Sequence, residues 1–251
     1  MLASGAIING SYCLLLFGKR FKMLDVLVIA PHPDDAELGM GGSIARMTAE
    51  GLAVGVLDLT DGEPTPHGSP ERRRAESQAA SRALGLSWRE NLGLPNRSLL
   101  PTLEARAQLA AVIRREQPRW LFAPYWHDAH PDHTAATELV EAARFWAKLT
   151  KTDLPGKPHY PERIWYYLCV HLRVMPPPAF IADISDFWPR KQAALECYAS
   201  QFFEGRPPGE TTIVDRLREQ AGTLGWAIGA RYGEAFYSRE TVGLTSWRGL
   251  R

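Results

Sequence analysis

The sequence predicts an α/β protein: a mainly parallel, doubly wound sheet flanked by helices, with a C-terminal cap. Strand-like and helix-like segments alternate from Leu24 to about residue 150. Two tetrapeptides, His32-Pro33-Asp34-Asp35 and His130-Pro131-Asp132-His133, each lie between an apolar run and a helix-like stretch. The chain has 251 residues, 45% apolar and 23% charged, enough for one large core in a single soluble unit.

The elements follow in order. Leu24–Ala30 is a nearly unbroken apolar run and reads as a buried strand. Ala36–Glu50 carries Leu38, Ile44, Ala45 and Met47 at helical spacing, and Gly51 ends it. Val54–Leu59 is the second strand. Asp61–Pro70 holds three prolines and two glycines, so it is a loop at the same sheet end as the first tetrapeptide. Glu71–Leu84 is a helix, with Pro70 at its start and Gly85 past its end. Asn91–Pro95 is a short strand, Leu103–Glu116 a helix, Trp120–Ala123 a strand and Asp132–Leu149 a helix.

Beyond Thr150 the rhythm changes. Prolines punctuate Thr152–Pro161 and Met175–Pro178, around an aromatic strand at Ile164–Cys169. Phe187–Tyr198 and Ile213–Ile228 read as helices. Residues 151–251 are short for an independent domain and read as a cap over the same sheet. Residues 1–22 read as an extension outside the fold or a misassigned start, with the domain proper spanning 23–251. Their charges, Lys19, Arg20 and Lys22, follow the apolar run rather than precede it, the wrong order for a secretory signal. That run is also too short to span a bilayer.

A formal charge of +1 and no long basic run argue against nucleic acid as partner, and nothing suggests a membrane. The three cysteines, Cys13, Cys169 and Cys197, are too scattered for a disulfide framework or a thiolate metal cluster. Cys169 and Cys197 read as buried free thiols, which fits a reducing cytoplasm.

The tetrapeptides carry the chemistry. Strand carboxyl ends are where an open α/β sheet gathers functional groups, so both clusters can meet over one crevice. Together they offer His32, Asp34, Asp35, His130, Asp132 and His133, more groups than one divalent ion needs. The surplus suits a hydrolytic centre, in which a carboxylate takes a water proton and another donor stabilises the oxyanion. Spacing alone does not assign the roles, and either Asp34 or Asp132 could instead cap a helix. Gly39-Met40-Gly41-Gly42 lacks phosphate-loop spacing and is better explained by close helix packing. Arg72-Arg73-Arg74 opens a helix beside the proline-rich loop, where one arginine can reach the crevice. Of the remaining histidines (His67, His127, His159, His171), His171 is best placed to meet substrate, because it follows the aromatic strand.

The segment Ala30-Pro31-His32-Pro33-Asp34-Asp35-Ala36-Glu37, together with His130-Pro131-Asp132-His133, resembles the LmbE-like (PIG-L) family of zinc-dependent N-acetylglucosamine deacetylases. The resemblance runs from about Met23 to the C-terminus and implies a Rossmann-like three-layer fold. Asn91–Pro95, Phe180–Ser185, Tyr198–Phe202 and Arg231–Phe236 look like the branch that deacetylates N-acetylglucosaminyl malate in bacillithiol biosynthesis.

The resemblance implies His32, Asp35 and His133 as ligands of one Zn2+, with Fe2+ an alternative. It implies Asp34 as general base and His130 as the group that stabilises the oxyanion and protonates the leaving amine. It also implies Asp132 as support for His130 and Arg73 as a substrate-binding arginine. A homo-oligomer, trimer or hexamer, is expected. Ala129 stands where some members carry a basic residue, which leaves the aglycone open. The competing readings are a deacetylase of another N-acetylglucosamine sugar, a nucleotide-binding transferase and a non-catalytic metal-binding protein.

Overall fold

The computed structural model describes residues 23–243; the expected extension, residues 1–22, lies outside them. The elements are β1 (Val26–Ala30), α1 (Asp35–Ala49), β2 (Val54–Asp58), α2 (Pro70–Leu84), β3 (Trp88–Asn91), α3 (Leu103–Glu116) and β4 (Trp120–Pro124). They continue as α4 (Pro131–Ala147), β5 (Arg163–Tyr167), β6 (Phe180–Asp183), α5 (Trp188–Glu196), α6 (Ala199–Phe202), α7 (Ile213–Ala227) and β7 (Gly233–Tyr237).

One seven-stranded sheet runs β3-β2-β1-β4-β5-β7-β6. Strands β1 to β5 pair in parallel, and β7 runs antiparallel between β5 and β6. Alternation along β1 builds two cores. Val26, Val28 and Ala30 face a cluster with Ile44, Leu195 and Leu217, on the side of α1, α5 and α7. Leu27 and Ile29 face Leu109, Ile113 and Leu139 of α3 and α4. Every β1 residue is therefore buried, as a central parallel strand requires. Because β2 lies on one side of β1 and β4 on the other, the strand order reverses there. The carboxyl ends of β1 and β4 thus flank a crevice.

Local signals set the helix boundaries. Ser69 accepts from the Arg72 N–H and Pro70 opens α2, while Gly85 closes it in the left-handed region at φ 73°. Pro131 opens α4. Helix α1 is broken at Met40 (φ −148°, ψ 24°), and the Glu234 carboxylate accepts from the Gly42 and Ser43 N–H groups just beyond. The glycines here allow close packing, as the sequence suggested. A Cβ on Gly39 would fall 2.3 Å from the Tyr167 ring, and one on Gly42 would fall 2.7 Å from Ile184.

Several boundaries differ from expectation. The third strand is Trp88–Asn91, not Asn91–Pro95; Gly93, at φ 69°, turns the chain away. Its charged residues hid it: Arg89 points inward, with Nε 2.8 Å from Asp58 and Nη1 2.6 Å from Glu37. The aromatic strand is Arg163–Tyr167, and the helix expected over Phe187–Tyr198 is α5, which ends at Glu196, with the short α6 following beyond Tyr198. Strands β6 and β7 were not read as strands at all. Buried Glu234, which pairs with Lys191 at 2.6 Å, interrupts the apolar pattern of β7. Cys169 is buried as expected, but Cys197 is only partly so. Among the described residues no helix is long and apolar enough to cross a membrane.

Candidate active site

The first tetrapeptide forms the turn between β1 and α1. Asp34 holds φ 134° and ψ −24°, a conformation that L residues rarely adopt and that costs on the order of 1–3 kcal/mol. Its neighbours hold it there. The His32 N–H donates to Asp35 Oδ2 at 3.0 Å, and the Asp35 N–H donates to the His32 carbonyl at 3.2 Å. From α2, buried Arg73 donates through Nε to the Pro33 carbonyl (2.8 Å) and through Nη2 to Asp34 Oδ2 (2.9 Å). Burial pushes the Asp34 carboxyl up to about 7, against the pull of Arg73.

The second tetrapeptide meets this turn. Asp35 Oδ2 lies 3.1 Å from His32 Nδ1 and 3.3 Å from His133 Nε2. One ligand atom from each of these residues lies within 4.8 Å of the others. His133 is fully buried, yet its Nε2 has no hydrogen-bond partner among the described residues. An orphaned buried nitrogen facing a carboxylate and a second imidazole is what a divalent-ion site leaves when described without its ion. The outer nitrogens of both rings lie against carboxylates: His32 Nε2 is 3.2 Å from Asp132, and His133 Nδ1 is 3.1 Å from Asp128. Outer N–H donation fixes the tautomer and turns each lone pair inward. Burial opposes a charge on Asp35, but His133 and His32 hold its carboxyl well below the usual range. His32, His130 and Asp132 also offer ligand atoms within 4.8 Å of one another, but that group lacks both Asp35 and the unpartnered His133 Nε2.

Asp132 is placed differently from expectation. Its carboxylate accepts from the Arg97 N–H (2.7 Å) and the Leu99 N–H (3.1 Å) and contacts His32, not the His130 ring. Residues two apart at a helix start do not face each other. The link to His130 runs instead through the backbone, the Asp132 N–H donating to His130 Nδ1 at 3.2 Å. Neutral His130 therefore carries its proton on Nε2.

Around these groups lies an open cleft of about 390 Å³. Arg73 and His171 line it, and the His171 ring stands 5.2 Å from His130 and 5.1 Å from His133. Burial lowers the His171 pKa, which favours the neutral ring. The other histidines lie elsewhere. His159 is hydrogen bonded to the Pro118 carbonyl at 2.7 Å, His127 is exposed, and His67 packs beneath Gly205. Sequence reasoning missed Asp128. Its signal was an acid two residues before His130, available as a partner for a histidine ring.

Residues 27–144 match the PIG-L family, described as GlcNAc-PI de-N-acetylase. A solved structure of a conserved protein from Thermus thermophilus is 44% identical, with a TM-score of 0.82 over 90% of this chain and 99% of that one. The diacetylchitobiose deacetylase of Thermococcus kodakarensis is 33% identical over 71% of this chain and 70% of its own length. Two more distant relatives differ in chemistry. A probable N-acetyl-α-D-glucosaminyl L-malate deacetylase of Bacillus anthracis is 26% identical over 70% of this chain and 81% of its own. A 4-oxalmesaconate hydratase of Pseudomonas putida is 28% identical over 70% and 73%.

Proposed function

We propose that this chain, which belongs to the PIG-L (LmbE-like) family of deacetylases, hydrolyses the acetamide of an N-acetylglucosamine conjugate, N-acetylglucosaminyl-L-malate in particular. The observation that carries the reading is the inward-facing triad His32, Asp35 and His133, beside a separate buried carboxylate, Asp34, held at the cleft by Arg73. A binding module needs the triad but has no use for the second carboxylate. The malate assignment is supported by the branch-like stretches in the sequence and by the Bacillus relative.

His32, Asp35 and His133 would hold one divalent ion, Zn2+ by the chemistry of two nitrogens and one oxygen, leaving a coordination position open. When bound, such an ion supplies Lewis acidity that polarises the amide carbonyl and acidifies water. Asp34 accepts the proton from the attacking water. Arg73 keeps the Asp34 carboxylate aimed and its strained turn intact, while its Nη1 is buried 3.9 Å from Glu63. His130 offers Nε2–H to the developing oxyanion, the role a neutral imidazole fills best. A second proton on Nδ1 would collide with the Asp132 N–H. The proton taken up by Asp34 is thus the one at hand for the leaving amine. Asp132 and Asp128 orient the two ligand imidazoles.

Acetate release from a panel of N-acetylglucosamine conjugates, with and without a chelator, tests this reading. Chelator-sensitive release, fastest from the malate conjugate, is expected. Absence of release from every N-acetyl sugar by the metal-loaded protein would sink it.

A further inference from the structure

Three arginines reach the cleft without belonging to the reaction centre: Arg97, Arg206 and Arg216. They come from separate parts of the chain. Arg97 lies in the loop after β3, Arg206 in the loop between α6 and α7, and Arg216 in the first turns of α7. The Arg97 side chain already donates to the Pro64 carbonyl. No hydrogen bond or ion pair engages the guanidinium of Arg206 or Arg216 among the described residues, and both are exposed.

Their surroundings hold them at the mouth. The loop bearing Arg206 is clamped to the proline-rich loop: Glu204 pairs with Arg72, and Gly205, at φ 71°, sits against His67 closely enough that a Cβ would lie 2.4 Å from the ring. Arg216 follows a helix start fixed by a reciprocal cap between Thr212 and Asp215. It lies three residues after Ile213, which lines the same cleft, so one helix face presents both. The acids lining the cleft are Asp34, paired with Arg73, and Asp35, held by the histidines. Neither cleft-lining acid pairs with Arg206 or Arg216.

A neutral sugar has no use for this charge. We propose that Arg206 and Arg216 form an anion subsite that selects N-acetylglucosamine conjugates with an acidic aglycone, carboxylate or phosphate, over neutral ones. The inference rests on the deacetylase reading above. Two guanidinium forks suit an oxyanion.

The test is the ratio of kcat/KM for an anionic substrate to that for N,N'-diacetylchitobiose, in wild-type protein and in R206Q, R216Q and the double variant. N-acetylglucosaminyl malate and N-acetylglucosamine 1-phosphate serve as separate anionic arms, and the stronger loss identifies which oxyanion the subsite fits. The double substitution should lower the ratio by on the order of tenfold to a hundredfold. The wild-type preference should also weaken as salt rises. Calorimetric titration with deacetylated glucosaminyl malate, which needs no turnover, should show the same loss of affinity. Acetate release from both substrate classes with a ratio unmoved by the double variant would overturn the subsite alone. Release from neither by the metal-loaded wild type would overturn the deacetylase reading and the subsite with it.

Discussion

The two tetrapeptides differ at one letter, yet the same residue in their third position meets opposite surroundings. Asp34 sits in a strained turn at φ 134°, with its carboxylate held by Arg73 at the edge of the cleft. Asp132 sits in the first turn of α4, opened by Pro131, with its carboxylate held by two backbone N–H groups and His32. Burial at the first site goes with a carboxyl raised to about 7; at the second, three contacts, two of them backbone N–H donors, hold the carboxylate in place. Whether an acid serves as base or as scaffold is decided by the backbone that presents it and the donors around it.

The largest effect should come from breaking the meeting point of the two motifs. His133→Ala removes the ligand whose Nε2 is otherwise orphaned, and purified protein should lose its divalent ion and its turnover together. Elemental analysis of the variant checks this, and full metal stoichiometry would remove His133 from the ligand set. Next come matched substitutions at the two third positions. Asp34→Asn keeps an oxygen for Arg73 and should keep the metal while kcat falls by about a hundredfold or more. Asp132→Asn should reverse that pattern, weakening metal affinity by roughly 10–100-fold while metal-saturated kcat falls less. If both variants lose metal equally, the contrast between base and scaffold collapses.

A smaller effect of the same kind is expected at Asp128, which does for His133 what Asp132 does for His32. Its side chain is as enclosed as that of Asp132, but it is fixed by one backbone N–H, from His130, where Asp132 accepts two. Asp128→Asn should therefore weaken metal affinity by about tenfold, at the low end of that range. A metal titration with a chelating indicator measures it.

The half of the molecule that carries these motifs was the legible half. Val26–Ala30, Val54–Asp58 and Trp120–Pro124 are apolar because both faces are covered, and Ser69, Pro70 and Gly85 mark α2 by their own chemistry. Beyond residue 150 the pattern failed where polar residues are buried in pairs. Glu234 looked out of place in a strand until Lys191 and the broken end of α1 supplied its partners. Arg89 likewise hid β3, its partners Asp58 and Glu37 lying far off in sequence. The site divides the same way: the six acid and histidine groups stand out as two tetrapeptides, while their roles are not written in spacing, and the contacts of Asp132 depend on its direction around a helix turn. Arg206 and Arg216 escaped for a related reason, lying in stretches with no pattern of their own.

Arg73 offers the finest test of the contrast, because it serves the strained motif and has no counterpart at the second. Two of its three nitrogens are spent on the Pro33 carbonyl and the Asp34 carboxylate, and only Nη1 lacks a hydrogen bond. Arg73→Lys keeps the positive charge but cannot make both contacts at once. If the arginine chiefly holds Asp34 in its strained conformation, kcat should fall several-fold for the malate conjugate and for free N-acetylglucosamine alike, with KM little changed. If Nη1 chiefly binds malate, KM should rise for the conjugate alone. The geometry favours the first pattern, since the contacts to the turn are short and the remaining nitrogen is buried 3.9 Å from the Glu63 carboxylate. A rise in KM confined to the malate conjugate would move Arg73 from the turn to the substrate, and Asp34 would then owe its conformation to the His32 and Asp35 hydrogen bonds alone.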